Sequence, residues 1–257
     1  MDKRNTRDIR SPGEIPDIRD ILRQGLEEYG LTDRIDPWAV TSLDEYCQLL
    51  LEKNQVMNLT AIREPEGVAR MHFLDCAALL KYCDFQGKTL IDVGTGAGFP
   101  GMVLKILVPS LDVTLLDSLN KRLDWLLETS GALSAGLYGN VHTVHGRAEE
   151  QALVKGFRDS FDFAAARAVA DLRVLCELCL PFVKVGGHFL AMKSTGSGQE
   201  LEEAAHAIKL LGGRVAQVED YTIPGTEVTH RLIVIEKLAP TLKGYPRRWA
   251  KIQKEPL

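Results

Sequence analysis

The sequence predicts an α/β fold: a mixed, mostly parallel sheet of seven strands with helices on both faces, preceded by an N-terminal helical extension. Three observations carry this. From Lys88 onward, short apolar runs alternate with stretches of helical period, the order that builds a parallel sheet covered on both sides. The stretch Thr89–Gly101, TLIDVGTGAGFPG, passes from an apolar strand through four glycines in eight residues into the helical run Met102–Val108. The last two strands follow one another with no helix between them, so they form an antiparallel pair.

The elements follow in order. Residues 1–15 are charged and lack an apolar h-region, so they read as a disordered tail and not as a secretory signal. A helical extension spans 16–86. Its first helix, 16–29, sets Ile18, Ile21, Leu22 and Leu26 on one face and ends at Gly30. Pro37 opens a second, with Leu43, Tyr46, Leu49, Leu50 and Leu51, that fades at Lys53-Asn54-Gln55. Asn58–Ile62 reads as a turn, and Pro65–Tyr82 as a third helix. In the sheet unit, 87–238, strands are expected at 89–93, 111–117, 140–145, 161–166, 185–192, 213–222 and 230–238. Helices are expected at 101–108, 119–134, 170–183 and 199–211, and Ser194–Gly198 reads as a mobile loop. Residues 239–257 form a basic C-terminal tail.

Composition narrows the function classes. The 257 residues are 45% apolar and 26% charged, as in an ordinary globular chain, and no apolar run approaches a membrane span. Five cysteines, an odd number in mostly apolar surroundings, read as reduced thiols in the cytoplasm. Cys176 and Cys179 lie in an apolar helix without a second Cys/His pair, so they read as core packing and no metal is expected. The net charge of −4 excludes a generally basic coat. From Lys237 to Leu257, however, Lys237, Lys243, Arg247, Arg248, Lys251 and Lys254 face Glu255 alone, interleaved with Tyr245 and Trp249. That pattern suits a phosphate-bearing partner with exposed bases, or else a solvated terminal segment.

The glycines fit two registers. Gly96, Gly98 and Gly101 fit G-x-G-x-x-G, the dinucleotide fingerprint of NAD enzymes; Asp92 with Gly94, Gly96 and Gly98 fits D-x-G-x-G-x-G, the first motif of S-adenosylmethionine-dependent methyltransferases. In both, a carboxylate ending the second strand meets ribose hydroxyls, and Asp117 stands there, nineteen residues after Gly98; its other reading is a cap for the helix from Leu119. Asp92 either bonds the N–H groups of the glycine turn or meets a ligand's ammonium group. Arg147-Ala148-Glu149 follows the third strand, where backbone N–H can meet an adenine ring, or where a helix begins with acids in its first turn. Arg167 ends the fourth strand after three alanines, placed for the methionine carboxylate of a cofactor, a phosphate, a target base, or a structural ion pair. The Pro-Pro motif of exocyclic-amine methyltransferases and the Pro-Cys of C5 enzymes are both missing.

Several motifs in one order then resemble the bacterial 16S rRNA (guanine-N7)-methyltransferase G family, also called glucose-inhibited division protein B. They are Asn54 with Asn58-Leu59-Thr60, His72-Phe73-Leu74-Asp75, Asp92–Gly101, Val113–Ser118 with Lys121-Arg122, Gly146–Glu150, Ala166-Arg167-Ala168, Lys193, and Tyr245-Pro246-Arg247 with Pro256-Leu257. The chain departs from the family pattern at Cys76, at Ala166, each where a serine is usual, and near Ala250, where a glycine is usual. The resemblance implies a Rossmann-like class I methyltransferase fold. It implies transfer of a methyl group from S-adenosylmethionine to N7 of a guanosine in the 530 loop of 16S rRNA, on the small ribosomal subunit; no exposed apolar stripe demands a partner, so a monomer is expected. The cofactor contacts it implies are Gly94, Phe99, Ala148, Glu149 and Arg167, with Asp117 added from position; Arg167 is also a possible catalytic group. Lys193, Lys243, Arg247 and Arg248 are the rRNA contacts expected. A methyltransferase of the same fold on another RNA, and an NAD-dependent enzyme using the same loop, are the alternatives.

Overall fold

The computed structural model describes residues 17–133, 139–167 and 170–257; the expected tail at 1–15 lies outside them, as does the last residue of the helix expected at 119–134. The N-terminal block holds α1 (Arg19–Glu28), α2 (Ala39–Met57), α3 (Pro65–Val68), a π-helical turn (Ala69–Leu74), α4 (Asp75–Ala77) and a 3-10 turn (Ala78–Lys81). The second helix runs past the expected fade point, and Asn58, in the left-handed conformation at φ 52°, ends it. The third expected helix is one helical path of changing pitch, because the wide π turn inserts into it.

The remaining elements are β1 (Thr89–Val93), α5 (Gly101–Leu107), β2 (Asp112–Asp117), α6 (Asn120–Ala132), β3 (Val141–His145), α7 (Ala148–Gln151) and β4 (Phe161–Arg167). They continue with α8 (Leu172–Cys179), β5 (Val183–Ser194), α9 (Gly198–Glu203), α10 (Ala205–Leu210), β6 (Gly213–Thr222), β7 (Thr229–Lys237) and α11 (Trp249–Lys254). The seven strands pair in the order β3-β2-β1-β4-β5-β7-β6. All pairs are parallel except β5–β7 and β6–β7. Strand order therefore reverses between β1 and β4, which opens a crevice beyond the carboxyl ends of these strands.

Successive residues of a strand face opposite sides, and the core divides accordingly. Leu90, Val113, Leu115, Phe163, Ala165 and Leu190 pack with the N-terminal helices, α5 and α6. Ile91, Val93, Leu116, Ala164, Ala166 and Phe189 pack with α8, α10 and Ile252 of α11. Cys176 and Cys179 are fully buried in this second core, where burial raises both thiols far above their usual range.

Two expectations are corrected. Ser194–Gly198 is not an open loop: Thr195–Ser197 form a 3-10 turn leading into α9, with Ser197 buried. The C-terminal segment is not solvated along its length, since α11 lays Ile252 into the core and Lys237 is buried. Lys237 Nζ donates to Asp159, Leu180 O and Thr241, so it is an internal cation and adds nothing to a basic surface.

Candidate cofactor site

The glycine turn after β1 is held from inside. Asp92 is fully buried; its Oδ2 accepts from Thr95 Oγ1 at 2.6 Å and from the Gly101 N–H at 2.8 Å. Of its two readings, the structure adopts the bond to the turn. Burial raises its carboxyl to about 6 against the two hydrogen bonds that lower it, and Oδ1 has no partner among the described residues. Gly98 and Gly96 differ in purpose. At Gly98, φ +84°, a side chain would strike the Tyr46 hydroxyl and Met102 Cβ, so this glycine lets α2 pack on the turn. At Gly96, φ +58°, a Cβ would meet only the Gly94 carbonyl, 3.9 Å away, so it would point into open space. Gly101 is a close helix–sheet contact against Leu115 and Asp92.

Beyond β1, β2 and β3 lies a cavity of about 370 Å³, within the range of small-molecule sites. Gly94, Asp117, Arg122, Ala148, Glu149 and Trp249 are among its lining residues. Asp117 Oδ1 accepts from the Leu119 N–H at 2.9 Å, and Oδ2 from the Gly96 N–H at 3.0 Å. The carboxylate thus braces the turn into α6 and the glycine turn together, with Arg122 Nη1 also 3.4 Å from Oδ2, and it keeps lone pairs for hydroxyl donors. Ala148 and Glu149 open the short helix α7; their N–H groups have no carbonyl within that helix to bond.

Phe99 and Arg167 are placed together, but apart from the residues lining this cavity. The Arg167 guanidinium lies 4.9 Å from the Phe99 ring centroid, and the His72 ring stacks on Phe99 at 4.4 Å. Arg167 donates to Asp75 Oδ2 at 2.9 Å, to Met71 O at 3.1 Å and to His72 Nδ1 at 3.0 Å. Asp75 Oδ1 in turn accepts from Tyr221 Oη and His230 Nδ1, both at 2.8 Å. Burial alone would push the Asp75 carboxyl up; the His230 hydrogen bond and Arg167 charge bring it below its usual value. His72 is pushed down to about 4 by burial and by Arg167. His72 Nδ1 lies between the Arg167 guanidinium at 3.0 Å and Met71 O at 3.1 Å, and Nε2 faces Thr60 Oγ1 at 2.7 Å; with the proton on Nε2, Nδ1 accepts from Arg167 and Nε2 donates to Thr60. Asn54 anchors that threonine's turn through the Leu59 and Thr60 N–H groups. The scattered residues Asn54, Thr60, His72 and Asp75 therefore form one path leading to Arg167.

The expected RNA contacts separate into two groups. Lys243 and Arg248 are exposed. Arg247 clamps Glu177 bidentately, at 2.6 to 3.1 Å, and Glu177 is fully buried. The Lys193 ammonium sits on Glu200 at 2.6 Å and Ala170 O at 3.0 Å. Two features escaped sequence reasoning. Tyr221 and His230 meet Asp75 across about 150 residues, and only the lone carboxylate in the apolar run around Asp75 hinted at a buried partner. Trp249 reaches the cavity from the far end of the chain and stacks on Arg147, 4.7 Å from ring centroid to guanidinium carbon.

The profile of the family described as rRNA small subunit methyltransferase G matches residues 39–229. The ribosomal RNA small subunit methyltransferase G of Alkaliphilus oremlandii is 45% identical over 243 residues, covering 94% of this chain and 99% of the relative. That of Alkaliphilus metalliredigens is 47% identical, covering 92% and 98%. That of Staphylococcus carnosus is 46% identical, covering 92% and 97%. Among solved structures, a SAM-dependent O-methyltransferase from Thermotoga maritima superposes with a TM-score of 0.50 at 18% identity, covering 76% of this chain and 73% of that one, a likeness of fold.

Proposed function

The chain belongs to the rRNA small subunit methyltransferase G family, and from that premise we propose that it methylates N7 of a guanosine in the 530 loop of 16S rRNA, using S-adenosylmethionine. The observation that carries the cofactor reading is the cavity itself: a glycine turn open at Gly96, with Asp117 braced beside it at the end of β2. The residues fit an adenosyl group. Asp117 would take the ribose hydroxyls, and the Ala148 and Glu149 backbone the base edge. Gly94 would border the chain toward sulfur, and Phe99 and Arg167 the amino-acid end. Bound there, the cofactor supplies a methyl group on a sulfonium.

The acceptor nitrogen carries a lone pair, so no proton has to leave before transfer and no general base is required. The work left to the chain is alignment, where orientation contributes at most about 7–11 kcal/mol. Arg167, fixed by Asp75 and over the Phe99 ring, provides a positive charge that stays in one place. His72 stays neutral and holds Phe99 by stacking. Lys243 and Arg248, with Lys251 of α11, suit phosphate contacts that position RNA without reading its bases. No helix among the described residues is long and apolar enough to cross a membrane. The reading places a monomer in the cytoplasm on the small ribosomal subunit.

A thermal-shift comparison separates this from an NAD enzyme. At one hundred times its Kd, a true ligand adds about 2.7 kcal/mol of stability. S-adenosylmethionine and S-adenosylhomocysteine are expected to give that shift and NAD none; the reverse pattern overturns the proposal.

A further inference from the structure

Trp249 lies within the cavity wall yet belongs to the last helix of the chain. The segment carrying it is fastened at several points. Arg158 donates to the Thr241 and Tyr245 carbonyls, both at 2.8 Å. The Arg247 N–H and guanidinium both bond the buried Glu177, and Ile252 is fully buried beyond. These fastenings flank Trp249 on both sides in sequence, so the ring is held in a fixed place. Arg147 lies across one of its faces, and both residues border the part of the cavity formed by Gly146, Ala148 and Glu149.

We propose that Trp249, stacked on Arg147, is the wall of the nucleoside pocket that grips the cofactor's adenine, which makes the C-terminal segment a binding and specificity element of the site. The inference rests on the reading of this cavity as the cofactor site. A flat aromatic base is the ligand chemistry that such a wall recognises, because indole and guanidinium both offer π-faces. Asp117, on the ribose side of the cavity, then fixes which end of the nucleoside enters. The contact is the same before and during methyl transfer, so it acts on affinity and not on the chemical step. Because the ligand touches the docked helix, cofactor binding and docking of α11 favour one another.

Full-length protein carrying Trp249→Leu or Trp249→Phe tests this, with calorimetric titration of S-adenosylhomocysteine and of adenosine, and melting curves without ligand. Loss of one aromatic stacking partner is worth about ten- to a hundredfold in affinity. Trp249→Leu is expected to weaken both ligands by that same factor, with Trp249→Phe within about threefold of the parent. The KM for cofactor rises in Trp249→Leu while kcat is kept. Where that variant melts early, Arg147→Met, which leaves every fastening of the tail in place, is expected to lower both affinities severalfold. Unchanged affinities in Trp249→Leu and Arg147→Met overturn the proposal. So does a loss confined to S-adenosylhomocysteine, which would put the contact at the amino-acid end. Parent protein that binds neither ligand refutes the cavity reading itself, and the inference falls with it.

Discussion

At Gly96 a side chain would enter open space, the space that the proposed cofactor would need. Gly96→Val is therefore expected to weaken S-adenosylhomocysteine binding by about a hundredfold or more, measured by calorimetry, while costing only about 1–2 kcal/mol of stability from strain at positive φ. Gly98→Val has the opposite character: it drives atoms into Tyr46 and Met102, and its stability loss in urea should exceed that of Gly96→Val. Asp92 gives a pH signature. Its folded-state value of about 6 lies above the unfolded value of 3.8, so the native state binds more protons between them. The contribution of Asp92 to stability therefore falls as pH rises through this window. Asp92→Asn removes that slope, so its stability relative to the parent should increase from about pH 4 to pH 6 and level off above. A difference that is flat with pH would mean that Asp92 does not titrate there.

Among the elements, the link between the N-terminal block and the sheet is the Asp75 cluster. Tyr221 and His230 of the antiparallel strands and Arg167 of β4 converge on one carboxylate of α4. His230 is raised above its ordinary value by the Asp75 hydrogen bond. A histidine raised by folding contributes stability that is complete below its unfolded value near 6.5 and is lost as pH rises through the folded one. The advantage of the parent over His230→Asn in urea denaturation should thus be largest below pH 6.5 and shrink on the alkaline side. Every strand was legible in the sequence, because apolar runs bounded by glycine and charge leave a parallel sheet few alternatives. The third helix was legible as a helix but not as a π-containing one, since its pitch depends on contacts with α1 and Arg167 that are remote in sequence. Asp117, Ala148 and Glu149 were legible because they follow strand ends, where topology fixes position. Tyr221 and His230 were not, as nothing local separates them from ordinary strand residues.

The whole molecule is closed by its own C-terminus. The charge of Arg247 is visible in the sequence and its ion-pair partner is not, because Glu177 sits in an apolar helix 70 residues earlier. Arg247→Ala removes the guanidinium and leaves the fully buried Glu177 carboxylate with the backbone N–H of residue 247 but no opposite charge, which should cost about 3–5 kcal/mol in chemical denaturation. Replacing both partners, as Arg247→Met with Glu177→Leu, should restore most of the loss, because the apolar pair removes the buried charge as well. If the double variant is as unstable as the single, the pair is not what holds the segment. With Lys237 buried and Arg247 held on Glu177, the exposed basic residues of the terminus are Lys243, Arg248, Lys251 and Lys254.

The central claim is tested most directly by methyl transfer. Unmodified small ribosomal subunits are incubated with the protein and labelled S-adenosylmethionine, and the modified nucleotide is then mapped. The account predicts one labelled guanosine in the 530 loop, methylated at N7, and no label with Gly96→Val. Label on another nucleotide or another atom, or no transfer by protein that binds the cofactor, would contradict it.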